Sequence, residues 1–517
     1  MEQWFPGSKV AMSDRKLRSK GRRRRSIIAF EMIRLDRMST EPLHQQLYRQ
    51  IRDELRSGSF SNTSSRLPSS RALAADLGIA RLTVNLAFSK LHAEGYLQSK
   101  AGSGTFVADP LPDTFLSARR SEDHPRTERS VRVSDRVLRL PDQRVGKEFD
   151  LGATNAGPGV SLTPSIPAVD EFPIDVWERL RAQVLAKKGA HLLRYASNRG
   201  DADLRQAIAA YLCDFRGARC HPDQIVIVGG MQQAMLISAM ALVNPGQAAW
   251  TEDPGFHQAL RVFAFVGAKV VPKPIDHEGM VVARLRYEPL PRIIYVTPSH
   301  QFPLGMTMSF ERRTTLLNLA RTRDAFIFED DYDSEFRFTG PPLPCLQGLD
   351  NSGRVIYAGT MSKILYPSLR LGYIVAPEAL VDSMIKIRSV MDQHSPPIDQ
   401  ATLARFITEG FFLSHIRRMR KLYSERRDFF IEQFHNLLGD RFTLQTHEAG
   451  LNFVAWLKCK EDFPRIKRVT LEIGVKPVPL STFCIQAKLK PAFLFGFAAW
   501  TQAQIRESLF KLASSLK

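Results

Sequence analysis

One lysine stands in a run that could do covalent chemistry: Gly359-Thr360-Met361-Ser362-Lys363-Ile364-Leu365-Tyr366-Pro367-Ser368-Leu369-Arg370-Leu371-Gly372. A lysine amine turns nucleophilic towards aldehydes when burial or neighbouring cations lower its pKa. Thr360 and Ser362 bring short hydroxyls, and Arg370 brings a planar guanidinium fork. Hydroxyls and a guanidinium together suit a phosphate. An aldehyde-reactive amine beside a phosphate cradle points to pyridoxal phosphate, held as a Schiff base by Lys363. The competing reading is a solvated surface lysine, the usual fate of the residue type.

A second run weighs against that. The apolar stretch Ala325-Phe326-Ile327-Phe328 ends abruptly in Glu329-Asp330-Asp331-Tyr332-Asp333-Ser334-Glu335. Buried parallel strands look like this when they deliver side chains at their carboxyl ends. Pyridoxal phosphate needs an acid against its ring nitrogen, because the protonated ring is the better electron sink. It also needs a donor to the ring oxygen. Asp330 and Tyr332, alternate residues on one face of an extended segment, could supply both. A solvated acidic loop is the alternative, though a hydrophobic strand is an odd lead-in to one.

The elements that must position these residues are legible as alternating apolar strands and helical segments. The strands read as Ile225–Val228, Ala248–Thr251, Lys269–Pro272, Arg292–Thr297, Ala325–Glu329, Arg354–Ala358 and Gly372–Val375. That alternation means α/β with a largely parallel sheet and sites at strand ends. Gly229-Gly230-Met231-Gln232-Gln233-Ala234 follows the first strand and opens a helix, so the amides of Gly230, Met231 and Gln232 could hold the phosphate.

Upstream lies a separate unit. Leu43, Leu47, Ile51 and Leu55 make one apolar helix face, stopped at Gly58. Leu67-Pro68-Ser69-Ser70-Arg71 opens a second helix with a serine suited to cap it. Gly78-Ile79-Ala80 turns the chain, and Arg81 to Glu94 forms a third helix. Gly102-Ser103-Gly104-Thr105 then tips a hairpin. Helix, turn, recognition helix and wing is the order of a winged helix-turn-helix.

Thr297-Pro298-Ser299-His300-Gln301-Phe302-Pro303, the acidic run and the Lys363 run, in that order behind such a head, resemble the MocR/GabR-type transcription regulators. These look like a GntR-class winged helix-turn-helix fused to a type I aminotransferase-like domain. The likeness covers roughly residues 41–109 and 170–517. It implies a PLP-dependent regulator whose body senses a small amine or amino-acid effector and dimerises, with a double-stranded DNA operator as partner. By the same likeness Ser70 and Arg71 start the helix that crosses the DNA backbone. Arg81, Thr83 and Asn85 begin the helix in the major groove, and Gly102, Ser103, Gly104 and Thr105 touch the minor groove or phosphates. Phe256 falls where the family stacks an aromatic ring on the cofactor; ordinary core is the alternative. Tyr195 resembles the residue that reaches across a homodimer, which the family arranges head-to-tail.

Departures from the family matter too. Ala80 and Leu82 replace a usual serine and small polar residue, so operator preference is altered. Phe302-Pro303-Leu304-Gly305 replaces Asn-Pro-x-Gly, which leaves His300 or Gln301 to meet the ring oxygen. Pro491 to Trp500 lacks the arginine that forks onto a substrate carboxylate. Losing that bidentate contact costs on the order of 1.5–3 kcal/mol. Efficient transamination is therefore not expected, although an active aminotransferase with an attached head is the alternative reading.

Bulk properties agree. The net charge of +19 argues for a polyanionic partner. Five cysteines without a C-x-x-C fit a reducing cytoplasm and no cysteine metal site. No run approaches a membrane span. Residues 1–40 read as a basic, disordered, dispensable arm that tracks phosphates; translation from Met12, Met32 or Met38 is the other reading. Pro110, Pro112, Pro125 and Pro141 punctuate an exposed linker over 110–169, in which nothing points to catalysis.

Overall fold

The computed structural model describes residues 33–56, 66–100, 103–108, 111, 133–140, 161–282, 289–340 and 344–517. Residues 1–32 of the expected basic arm, Gly102 and most of the expected linker lie outside these residues; Ile33 and Leu35, in the remainder of the arm, pack on the core of the first unit. The chain divides into two compact units, Met1–Ser130 and Val131–Lys517.

The first unit holds three helices, α1 (Leu43–Arg56), α2 (Ser70–Asp76) and α3 (Arg81–Ala93), and a hairpin of β1 (Leu97–Lys100) and β2 (Gly104–Val107). The apolar face read from sequence is the core: Leu47, Ile51, Leu55, Leu73, Val84 and Leu91 are buried together. Ser69 caps α2, its Oγ accepting from the Ala72 amide at 3.2 Å. Gly78 makes the turn into α3 with φ +61. At the wing Gly104 has φ +103, and a Cβ there would stand 2.8 Å from Arg66 Nε. Only glycine serves at that tip.

The second unit is built on an eight-stranded sheet, ordered β3-β10-β9-β8-β7-β4-β5-β6. Its strands are β3 (Ile225–Val228), β4 (Ala248–Asp253), β5 (Lys269–Asp276), β6 (Gly279–Met280), β7 (Pro291–Val296), β8 (Phe326–Asp331), β9 (Val355–Thr360) and β10 (Gly372–Val375). The sheet is mixed rather than simply parallel. From β9 through β8, β7 and β4 to β5 the pairings are parallel, whereas β10 runs antiparallel to both β3 and β9. Strands β3, β4, β8, β9 and β10 are buried along their whole length, as continuous apolar runs require. A second sheet, β11 (Phe442–Gln445), β12 (Asn452–Leu457), β14 (Ala492–Gly496) and β13 (Val478–Pro479), is antiparallel throughout.

One boundary moves. The expected linker ran to residue 169, yet Leu162, Thr163, Ser165 and Ala168 are buried. Ser161 forms an isolated parallel bridge with Val475, and Gly496 of β14 donates its amide to Leu162 O at 2.9 Å. Residues 161–169 therefore pack as part of the body.

Candidate cofactor and DNA sites

The acids at the end of β8 have separate partners. Glu329 accepts the amides of Leu346 (2.8 Å) and Gln347 (3.0 Å). Asp331 pairs with Arg216 at 2.8 Å and accepts the Tyr357 hydroxyl at 2.5 Å. Glu335 accepts the Tyr211 hydroxyl at 2.8 Å. Asp330 Oδ2 accepts the Tyr295 hydroxyl at 2.6 Å, and its Oδ1, like that of Asp331, is buried with no hydrogen-bond partner among the described residues; unlike Asp331, Asp330 has no arginine beside it among them. Burial pushes the Asp330 carboxyl up to about 7, against the opposing pull of the Tyr295 bond.

Lys363 follows β9, across a short turn in which Thr360 Oγ1 accepts the Ser362 amide at 3.2 Å. Its Nζ donates to Ser165 O at 2.6 Å. Burial lowers the amine to about 8, although Asp333 and Asp330 pull the other way. Arg370 is exposed, in the left-handed region at φ 50 and ψ 41. A Cβ on Gly230 (φ +107) would stand 3.4 Å from its guanidinium nitrogens. Gly230 caps the helix Met231–Leu242, whose first amides, Met231 and Gln232 among them, lack intrahelical acceptors. Arg370, Gln232, Gln233, His394 and Ser395 line one cavity of about 690 Å³.

Tyr332 is held from one side. Its hydroxyl lies 2.9 Å from His300 Nδ1, and that nitrogen lies 3.0 and 3.1 Å from the two Asp333 oxygens. Gly450 makes the space: a Cβ there would fall 1.9 Å from His300 Cε1. Gln301 spends its amide on Pro254 O (2.9 Å) and Phe302 O (2.7 Å), so of the two expected stand-ins only His300 meets Tyr332. Phe256 is half-buried and packs edge-on to Phe302 at 5.8 Å, in the apolar cluster that includes Tyr332. Tyr195 is 89% exposed, its ring centroid 6.1 Å from that of His394 in an edge-on arrangement.

In the head, Arg81 Nε donates to Ser70 Oγ at 3.2 Å and ties the start of α3 to α2. Arg71, Arg81 and Asn85 are exposed, and Thr83 is half-buried. Ser103 turns the wing by donating to Lys100 O at 2.9 Å, and Thr105 O accepts the Leu67 amide at 2.9 Å.

Residues 43–107 match the family described as bacterial regulatory proteins, gntR family, and 165–508 match aminotransferase class I and II. The chain is 38% identical over 484 residues to the probable rhizopine catabolism regulatory protein MocR of Rhizobium meliloti, covering 94% of this chain and 96% of that one. It is 34% identical over 483 residues to the HTH-type transcriptional regulator YdeL of Bacillus subtilis, covering 93% and 98%. The chain belongs to the MocR family of transcription regulators. Among solved structures, a kynurenine aminotransferase from Pyrococcus horikoshii in complex with PMP is similar at 28% identity and a TM-score of 0.67, over 74% of this chain and 96% of that one.

Like its MocR-type relatives, the chain couples a GntR helix-turn-helix, the DNA-operator-binding kind, to a pyridoxal-phosphate fold. The residues present fit that cofactor. Asp330 Oδ1 is a buried, unmatched acceptor of the kind a protonated ring nitrogen needs. Gly230, close beside the Arg370 guanidinium, opens a helix whose free first amides suit a phosphate. Among the described residues no helix is long and apolar enough to cross a membrane.

Sequence reasoning missed Tyr295, Ser165 and Asn452. Tyr295 left a signal, a phenol inside the apolar strand β7. So did Asn452, an amide inside Leu451-Asn452-Phe453-Val454. Ser165 left none.

Proposed function

We propose that this regulator senses a small amine through pyridoxal phosphate held at Lys363, and that sensing changes how a homodimer grips its operator. When bound, the cofactor supplies an aldehyde for a primary amine and an electron-withdrawing ring. Lys363 would hold the aldehyde carbon, and Asp330 the ring-nitrogen proton. Arg370, Thr360, Ser362 and the amides of Gly230, Met231 and Gln232 would hold the phosphate. Tyr332, backed by His300 and Asp333, would hold a proton at the ring oxygen, and Phe256 would lie against the ring. The observation that carries this reading is the pairing of a buried, unmatched Asp330 Oδ1 with a lysine amine lowered to about 8.

Near neutral pH that lowered amine keeps a larger free-base fraction than an ordinary lysine, so an effector amine and Lys363 compete on similar terms. The effector class follows from what is missing. The strand Ala492–Gly496 is buried and apolar, and 491–500 has no arginine. Recognition of the effector thus does not run through a carboxylate fork there. Tyr195 and Leu193, at 89% and 73% exposure, support a dimer in which Tyr195 serves the neighbour's site, in the head-to-tail arrangement. On DNA, Arg81 would read a guanine edge bidentately, with Thr83 and Asn85 beside it. Ser70, Arg71, Ser103, Gly104 and Thr105 would face phosphate or minor groove. Five free cysteines suit a reducing cytoplasm.

The test is a spectral titration of cofactor-loaded protein with candidate amines, run beside binding to a duplex selected from a random pool. One amine should change the visible band and the DNA affinity over the same concentration range. Protein that stays colourless after soaking with cofactor, and resists borohydride trapping at Lys363, overturns the reading.

A further inference from the structure

The stretch 161–165 follows the short helix Asp135–Leu138 within the second unit, and it is tied down at several points. Lys476 donates its amide to Ser161 O at 2.9 Å, and Ser508 Oγ donates to Ser161 Oγ at 2.6 Å. At Ser165 two side chains converge. Asn452 Oδ1 accepts the Ser165 amide at 2.6 Å, and Asn452 Nδ2 donates to Ser165 Oγ at 3.1 Å. The remaining polar group, Ser165 O, accepts Lys363 Nζ at 2.6 Å. Ser165 does this with φ 62, a conformation that strains every residue but glycine. A serine retains Oγ, and Asn452 bonds to it.

We infer that Ser165 is a positioning residue for the lysine: its carbonyl, clamped by Asn452, catches the free Lys363 amine, and the body segment 161–168 thereby registers whether that amine is engaged. A free ammonium has three donors to spend, whereas a lysine covalently bound through its nitrogen has at most one. The Ser165 bond therefore strengthens when an effector amine takes the lysine's place. The clamp passes the change to strand β12, through Asn452, and to the segment 161–168 itself. The inference rests on the function proposed above, and the experiment separates the two.

The probe is methoxyamine, a small alkoxyamine that captures carbonyl groups and so frees the lysine. Cofactor-loaded full-length protein is compared with Asn452→Ala and with Ser165→Gly, a variant that suits the left-handed backbone and keeps the carbonyl but loses Oγ. Three quantities are read: the visible band, amide hydrogen exchange over 161–168, and affinity for the selected duplex. In the unmodified protein, methoxyamine should alter the band and slow exchange over 161–168 by about tenfold, the size of one charge-assisted bond. Duplex affinity should shift with it. Both variants should alter their band in the same way but lose most of the exchange and affinity response. If Asn452→Ala fails to fold, Ser165→Gly alone decides the outcome. Equal responses in the variants, or a band change with no exchange change in the unmodified protein, overturn this inference and leave the proposed function standing. A band that ignores methoxyamine overturns both.

Discussion

In the head, Arg71, Arg81 and Asn85 stand exposed on a scaffold of short helices. In the body, Asp330, Asp331, Asp333 and Glu335 are all buried, each with a named partner. The contrast follows from what each region must recognise. A polyanion carries its own field, so exposed donors suffice. A covalent sensor must move a lysine and an acid towards neutral pH, and burial is the strongest lever for that. The price appears as strain: Leu162, Ser165 and Arg370 of the body have left-handed backbones, whereas every described left-handed residue of the head is glycine.

The sharpest way to break this comparison is Lys363→Ala. It should abolish the visible band and borohydride trapping completely, while affinity for the selected duplex stays within about twofold of the cofactor-loaded protein, because in neither does a free lysine ammonium engage Ser165. Absorbance and fluorescence anisotropy check the two halves. Arg81→Ala is the reciprocal test. Loss of a bidentate guanine contact costs about 1–3 kcal/mol, so discrimination at one base pair should fall roughly 5- to 150-fold. The cofactor band should be untouched, and binding to single-substitution duplexes reads the loss.

A smaller effect separates the regions by pH. Only the neutral amine attacks, and burial lowers Lys363 to about 8. Below that value the rate at which cofactor-free protein captures pyridoxal phosphate should fall about tenfold per pH unit, because each unit protonates tenfold more amine. Above it the rate should level off. Stopped-flow absorbance reads the profile. A midpoint near the usual lysine value would mean that the amine is solvated and that the two regions are not so different after all.

How much of this was legible in the sequence follows the same division. The head is local: its serine cap, turn glycine and recognition helix lie within consecutive residues, and the helix expected over 81–94 ends at Ala93. In the body, what ends an apolar run was equally readable, which is why Lys363, Asp330 and Tyr332 could be named. Partnerships across the fold were not. Ser165 and Asn452 are 287 residues apart in sequence, and neither residue type advertises the other. Nor could the acidic run declare which carboxylate oxygens would stay unmatched. That depends on Arg216, Tyr295 and Tyr357 arriving from three other elements. The start of the body was misplaced for a related reason: 161–169 shows no apolar period, because hydrogen bonds to the smaller sheet hold it rather than a repeating face.

The smallest expected effect asks whether the two regions are also separate in stability. Ser69 is the cap of α2, through its bond to the Ala72 amide. Removing such a cap costs about 1 kcal/mol, so Ser69→Ala should weaken the head by roughly fivefold in its folding equilibrium. Duplex binding should then be lost at a lower urea concentration, while the visible band melts at the same concentration as before. If the core of the head is its own, as Leu47, Ile51, Leu73 and Leu91 packed on one another imply, the two curves move independently. A band that shifts together with DNA binding would make the unfolding one cooperative event, and the contrast between an exposed reader and a buried sensor would then be one of chemistry alone.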